Sequence, residues 1–231
     1  MTTAPSHDWL GTLADDRLSQ DRARAERVAD VLRGRMLDGE LVPGLQLNEK
    51  AIADALGISR NTLREAFRLL THERLLVHEH SRGVFVREPG VVDVADIYAA
   101  RRVIECGAIR QWSGASDAAR NGVRDAVRFG VHGAESENWV DVGTANIRFH
   151  RAITALAGSA RLDEEVQRLL AELRLAFYVM GNPREFYQDY LPMNRAILAL
   201  LDADEVAEAE QELLRYFDTA ESHLVTRLSD R

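Results

Sequence analysis

The chain has 231 residues, 46% of them hydrophobic and 29% charged, with a formal charge of −8, which is the mixture of a globular protein with one large core or two smaller ones. The longest runs free of Asp, Glu, Lys and Arg are nine residues. A membrane helix needs about 20 apolar residues, so none is expected. The start has neither the basic nor the apolar stretch of a secretory leader, and a single cysteine, Cys106, allows no intramolecular disulfide. The expected home is cytoplasmic.

Several enzyme classes fall away on residue spacing. Of the 29 basic residues only Lys50 is a lysine, and it follows Glu49 rather than a glycine, so no phosphate loop is present. No two glycines stand two or four residues apart, which removes the dinucleotide fingerprint and the nucleophile elbow. Cys106 lies in the helical run 99–111 and reads as a small buried thiol rather than a nucleophile.

Residues 1–20 show no sustained period and read as an N-terminal arm, with Trp9, Leu10 and Leu13 as its apolar residues. A helix is expected from Arg22, with Val28, Val31 and Leu32 on one stripe, ending before the turn Val42-Pro43-Gly44. Asn48 can cap a short helix whose inner face would be Ile52, Ala55 and Leu56, with Lys50 and Asp54 outside. Gly57 can end it, and Ser59 can cap a second helix through Leu70. In that helix Leu63, Ala66, Phe67 and Leu70 form a core stripe, while Asn61, Arg64 and Arg68 project away, flanked by Arg60 and Thr62. Residues 75–79 and 84–87 read as two strands joined by His80-Ser81-Arg82-Gly83. Helix, helix, glycine-pivoted helix and hairpin is the order of a winged helix-turn-helix, expected over 21–88.

Beyond Glu88-Pro89-Gly90 the pattern is helical, with helices expected near 92–112, 117–131, 137–157, 160–180, 184–201 and 204–228. The fold class is therefore mainly α: a winged helix-turn-helix with a small hairpin, then an all-α bundle over 92–231. Residues 57–87 hold six Arg against three Glu, a local +3 in a chain of −8. Positive charge is concentrated on the motif that would meet DNA. Arg60 and Arg64 could grip guanine or phosphate, Asn61 could read adenine, and Arg82-Gly83 at the hairpin tip suits a narrow minor groove.

The segment 43–86 closely resembles the DNA-binding domain of GntR-family bacterial transcription regulators. The matching elements are Pro43-Gly44, Leu47-x-Glu49, Ala53 with Leu56-Gly57, Ser59-Arg60-x-x-x-Arg64-Glu65-Ala66 and Arg82-Gly83-x-Phe85-Val86. The resemblance implies homodimers on near-palindromic operators, with DNA contacts from Lys50, Ser59, Arg60, Asn61, Thr62, Arg64, Arg82 and Gly83. The family's usual residue at 61 is Thr, so Asn61 bears on base preference rather than on binding.

The helical half resembles the FCD effector domain of the FadR-like branch, a bundle of six or seven helices. The resemblance lies in 97–105 (IYAARRVIE), 146–159 (NIRFHRAITALAGS) and 194–205 (NRAILALLDADE). Many such domains hold a divalent metal through an Asp and three His. The aligned positions here are Asn146, His150, Asn194 and Tyr216, with His223 as a further candidate under another alignment of the last helix. Only His150 is a strong ligand, and neutral amides substitute poorly for carboxylate or imidazole.

Two readings of the bundle follow. His150 with Asn146 and Asn194 could hold a metal, or Arg101, Asn146, His150, Asn194 and Tyr216 could line a metal-free pocket for a small carboxylate, with Arg101 as its clamp. Arg101 could instead pair with Glu105 one turn on, and His150 could bond a neighbouring amide. Phe177, Tyr178, Phe186, Tyr187 and Tyr190 read as core or dimer contact. The expected function is a ligand-responsive, DNA-binding repressor rather than an enzyme. The rivals are a helical-domain enzyme using His150, for which no base or nucleophile partner is visible, and an architectural DNA-binding protein without an effector.

Overall fold

The computed structural model describes residues 16–181 and 183–230. Its described residues fall into two units: those up to Arg35 together with 44–86, and 36–43 together with 87–230.

α1 (Asp16–Leu37), whose last two residues count with the second unit, buries Ala25, Val28, Ala29 and Leu32 in the first. The helix starts ahead of the expected Arg22, so the last residues of the expected arm are helical; the rest of that arm, with Trp9, Leu10 and Leu13, lies outside the described residues. Val31, expected on the inner stripe, is 47% exposed, because Ala25, Val28, Ala29 and Leu32 set the buried arc one position round the helix.

α2 (Glu49–Leu56) is capped by Asn48, whose Oδ1 accepts from the Ala51 amide at 3.0 Å. Gly57 closes it at φ +62°, a left-handed conformation that costs glycine little. The face that α2 buries is Ala53, with Ile52 half-buried; Ala55 and Leu56, expected inside, are exposed. On so short a helix the small Ala53 lets α3 approach closely, so the stripe is centred on it. α3 (Arg60–His72) carries the expected core stripe of Leu63, Ala66, Phe67 and Leu70.

β2 (Leu76–Glu79) and β3 (Gly83–Val86) pair antiparallel with Val77 opposite Phe85, and the tip turns through Ser81 at φ +62°. A third strand, β1 (Gln46–Leu47), adds to β3 with Leu47 opposite Val84. Two residues are too few to show a period of two, so its pairing is visible only in three dimensions.

The second unit is a bundle of α4 (Val91–Ile109), α5 (Asp117–Glu135), α6 (Trp139–Ala155), α7 (Ala160–Phe177), α8 (Pro183–Tyr187), α9 (Tyr190–Asp202) and α10 (Val206–Ser229). α5 packs along α6, and α10 along both α4 and α9, around a core that includes Phe149, Ile153, Leu173, Ile197, Leu213 and Phe217. The single helix expected over 184–201 is two, interrupted by a turn at Gln188 and Asp189. Both are exposed polar residues, and Asp competes for its own backbone groups outside helices. Around this break Phe186 packs on Phe177, Tyr187 and Tyr190 at 4.8–4.9 Å between ring centroids. These four rings are core, as expected, whereas Tyr178 is 56% exposed. Cys106 is buried on α4, and burial pushes its thiol up to about 11, which keeps it an unreactive hydrophobe.

One glycine is fixed by a close approach. A Cβ added at Gly143, in the middle of α6, would stand 2.6 Å from Cε2 of Tyr187 and 3.0 Å from Nη1 of Arg174. Gly143→Ala gains up to about 1 kcal/mol of helix propensity but overpacks a buried ring at a cost of about 1–3 kcal/mol. The expected net result is a lower melting temperature, read by calorimetry against a Gly107→Ala control, where an added Cβ meets nothing within 4 Å.

Candidate functional site

Two groups of residues carry chemistry, one in each unit. In the first, Ser59 caps α3: its Oγ accepts from the Thr62 amide at 3.1 Å and stands 2.8 Å from the Thr62 hydroxyl. Thr62 is thereby largely buried, and both hydroxyls are engaged in setting the start of the helix. Lys50, Arg60 and Asn61 are exposed. Arg64 is exposed as well, with Nε donating to Glu49 of α2 at 3.0 Å. That ion pair is solvent-facing and of little weight, under about 1 kcal/mol, so a phosphate or base can replace it. At the wing Arg82 pairs with Glu79 and lies over the Phe85 ring at 5.2 Å, while Gly83 sits at φ +109°. The capped and pivoted α3 thus carries exposed donors on the side opposite its apolar stripe.

In the bundle, α4, α6, α9 and α10 bring the remaining candidates together. Arg101, Glu105, Asn146, His150, Asn194 and Tyr216 are each at most 4% exposed. Arg101 Nε donates to Glu105 Oε1 at 2.7 Å, one helical turn along α4. The other carboxylate oxygen of Glu105 lies 2.7 Å from His150 Nδ1 on α6. Burial works against the charge on Glu105, but Arg101 and then His150 outweigh it and hold the carboxyl below its ordinary range. Burial likewise lowers the affinity of His150 for a proton, and Glu105 does not fully offset it. The ring is therefore neutral, donates from Nδ1 to Glu105 and keeps a lone pair on Nε2. Glu105, which the sequence offered only as a helix partner for Arg101, organises the whole cluster. The partner of His150 is this carboxylate and not a neighbouring amide. The Arg101 guanidinium stacks over Phe217 at 4.8 Å and Tyr98 at 5.2 Å.

A second network adjoins the first. Asn146 Oδ1 accepts from Asn194 Nδ2 at 2.8 Å and from the Tyr216 hydroxyl at 3.0 Å. The His150 and Tyr216 rings lie 4.7 Å apart. Four buried polar atoms here have no protein partner among the described residues: Tyr98 Oη, Arg101 Nη2, His150 Nε2 and Asn194 Oδ1. The space beside Asn146 and Asn194 is a cavity of about 10 Å³, room for one water.

The donor set does not fit a metal. Both lone pairs of Asn146 Oδ1 are taken by hydrogen bonds, Asn194 and Tyr216 offer neutral groups, and among the described residues no three His, Cys, Asp or Glu gather at one point. His223 bonds the Tyr190 hydroxyl at 2.8 Å from an exposed position on α10, so it is not a fourth member of the His150 cluster.

The chain matches two family models in succession: the gntR family of bacterial regulatory proteins over residues 24–86 and the FCD domain over 96–219. It belongs to the GntR family, with an FCD domain. A protein from Rhodococcus sp. RHA1 described as a transcriptional regulator GntR is 38% identical, with a TM-score of 0.82 over 88% of this chain and 98% of that one. Escherichia coli McbR/YncC, at 20% identity and a TM-score of 0.75 over the same shares, has the same fold. A helix-turn-helix regulator in an unstable DNA locus of Streptomyces ambofaciens is 33% identical over 55% of this chain and 53% of its own length. An Escherichia coli K12 protein named for the L-lactate dehydrogenase operon is 30% identical over 57% of this chain and 58% of its own. The chain thus spans little more than half the length of these two relatives. This is a DNA-binding GntR-family transcription regulator with an FCD effector domain. No helix among the described residues is long and apolar enough to cross a membrane.

The buried ion cluster has a pH signature. Both Glu105 and His150 titrate lower in the folded protein than when unfolded, so the unfolded chain binds the extra protons and stability falls as pH drops. The loss is expected to begin below the ordinary histidine value of 6.5 and to deepen through the carboxylate range. Urea titrations at stepped pH check it, with His150→Gln flattening the part above pH 5. Glu105→Ala, which leaves Arg101 buried and unpaired, should cost about 3–5 kcal/mol at pH 7.

Proposed function

We propose that this regulator is a homodimeric repressor, working in the cytoplasm, that is released from a near-palindromic operator by a small organic acid. The observation that carries the effector reading is the set of four unpartnered buried atoms on Tyr98, Arg101, His150 and Asn194. Unpaired polar groups in a bundle interior are costly unless something binds them. Their chemistry is complementary to one kind of molecule. Arg101 Nη2 and the Tyr98 hydroxyl can donate to a carboxylate, while the neutral His150 Nε2 and Asn194 Oδ1 can accept from a hydroxyl. A hydroxy acid satisfies both pairs, and the name of the Escherichia coli relative ties that protein to an operon of lactate metabolism. Because the adjoining cavity holds about one water, an acid of this size requires the helices of the bundle to part. In this reading effector binding selects an opened bundle, and that population shift is the signal.

The DNA surface in this reading is the exposed side of α3 with Lys50 of α2 and the wing. Arg60, Asn61 and Arg64 face bases and phosphates, Arg82-Gly83 enters the minor groove, and Ser59 and Thr62 fix the helix start that presents them. Two heads on a two-fold axis supply the contact area that one cannot.

Two measurements test these halves. Arg60→Ala and Arg64→Ala should each weaken operator binding by about 1–3 kcal/mol and reduce its salt dependence. Wild-type affinity in both variants would remove α3 from the DNA surface. In a thermal-shift series of small organic acids, hydroxy acids should raise the melting temperature in a concentration-dependent way. The rise should persist after chelation and vanish in His150→Ala; a rise abolished by chelator would overturn the metal-free reading.

A further inference from the structure

The bundle holds a second, larger cavity, of about 210 Å³, which shares Tyr187 with the small cavity beside Asn146 and Asn194 but is lined by none of Arg101, Glu105, Asn146, His150, Asn194 and Tyr216. One wall is the segment that runs from the end of α1 to β1, through Met36, Leu41 and Val42. The opposite wall is the end of α7 and the short α8, through Leu175, Phe177 and Phe186. Between these apolar walls stands one cation, the guanidinium of Arg174, and one anion, the exposed Asp38.

The cation is held in a built position. Arg174 Nη1 donates to the Tyr187 hydroxyl at 2.6 Å, and Tyr187 is 3% exposed. Burial raises the pKa of this phenol, so it stays neutral and retains a proton of its own to donate. The pair sits where α6 has no side chain, since a Cβ at Gly143 would collide with both partners. The chain gives up helix propensity in the middle of α6 to seat them. On the other side Gly39 passes directly over the guanidinium, where an added Cβ would lie 3.4 Å from Nη2.

We propose that this cavity is a second ligand site, which takes a small monocarboxylate with an apolar body, the carboxylate on Arg174 and Tyr187 and the body between the 36–43 segment and the α7–α8 end. Engineered cavities of roughly 150 Å³ hold a benzene ring, so 210 Å³ accommodates a ring with a short acid tail. The single guanidinium selects for an anion, and Asp38 limits it to one negative charge. The occupant bridges the 36–43 segment to the bundle. That segment joins α1 to β1 of the DNA-binding unit, so occupancy restrains a connection on which the DNA-binding head depends.

The test uses 3-phenylpropionate as probe on the full chain, with isothermal titration calorimetry and hydrogen-exchange mass spectrometry. The expected result is saturable binding, with slowed exchange over 36–43 and none over 146–150, and no binding of the uncharged 3-phenylpropanol. Arg174→Gln should weaken binding at least tenfold. Val140→Trp, which fills the cavity from a lining position that is 53% exposed, should do the same should Arg174→Gln fail to fold. The proposal is overturned by absence of binding at millimolar probe, by wild-type affinity in Val140→Trp, or by protection that falls on 146–150 instead of 36–43.

Discussion

A guanidinium that is 1% exposed has to find its counter-charge inside the protein, and for Arg101 that counter-charge is Glu105, itself fully buried. Each ion alone would cost several kcal/mol to desolvate, so neither residue is tolerable without the other. Their spacing of four along α4 makes the pair local, but its consequences are not. The second oxygen of Glu105 fixes His150 on α6 in one tautomer, and Arg101 lies flat on Phe217 of α10. Three helices from distant parts of the chain are thereby registered by one carboxylate.

The network that adjoins this cluster is built from neutral groups, which suit a metal ion poorly. With Asn at 146 and 194 and Tyr at 216, the groups that would face an ion bond each other instead, Asn146 accepting from both neighbours. Positive charge is supplied permanently by Arg101, and it is already balanced. What is left over is a small set of unsatisfied donors and acceptors rather than a charged socket, and such a set discriminates by hydrogen-bond pattern more than by net charge.

In the DNA-binding unit the constraint is different. The core stripe of α3 is short, and the helix is placed by its ends: Ser59 at the start, Gly57 at the pivot and the β-hairpin after it. The caps are satisfied locally, so the exposed Arg60, Asn61 and Arg64 are presented without cost to the core. The Arg64–Glu49 ion pair is solvent-facing and of little weight, so a phosphate can replace it.

Much of this was legible in the sequence. The capped helices, the glycine pivot, the apolar stripe of α3, the hairpin and the helical bundle all follow from local chemistry, because caps, turns and a 3.6-residue period are set by residues near in sequence. Arg101, Asn146, His150, Asn194 and Tyr216, which the resemblance of the helical half aligns, lie close together in the bundle. Tertiary structure decided the rest. That Arg101 is committed to Glu105, that His150 bonds the same carboxylate across 45 positions and that His223 turns to Tyr190 depend on which helices lie side by side. β1 exists only because β3 offers it an edge, and the burial of Ala53 rather than Leu56 depends on how close α3 comes. The Arg174–Tyr187 pair against Gly143 belongs to the same class. No local rule explains a mid-helix glycine there; it is fixed by a ring that arrives from another helix and needs the space.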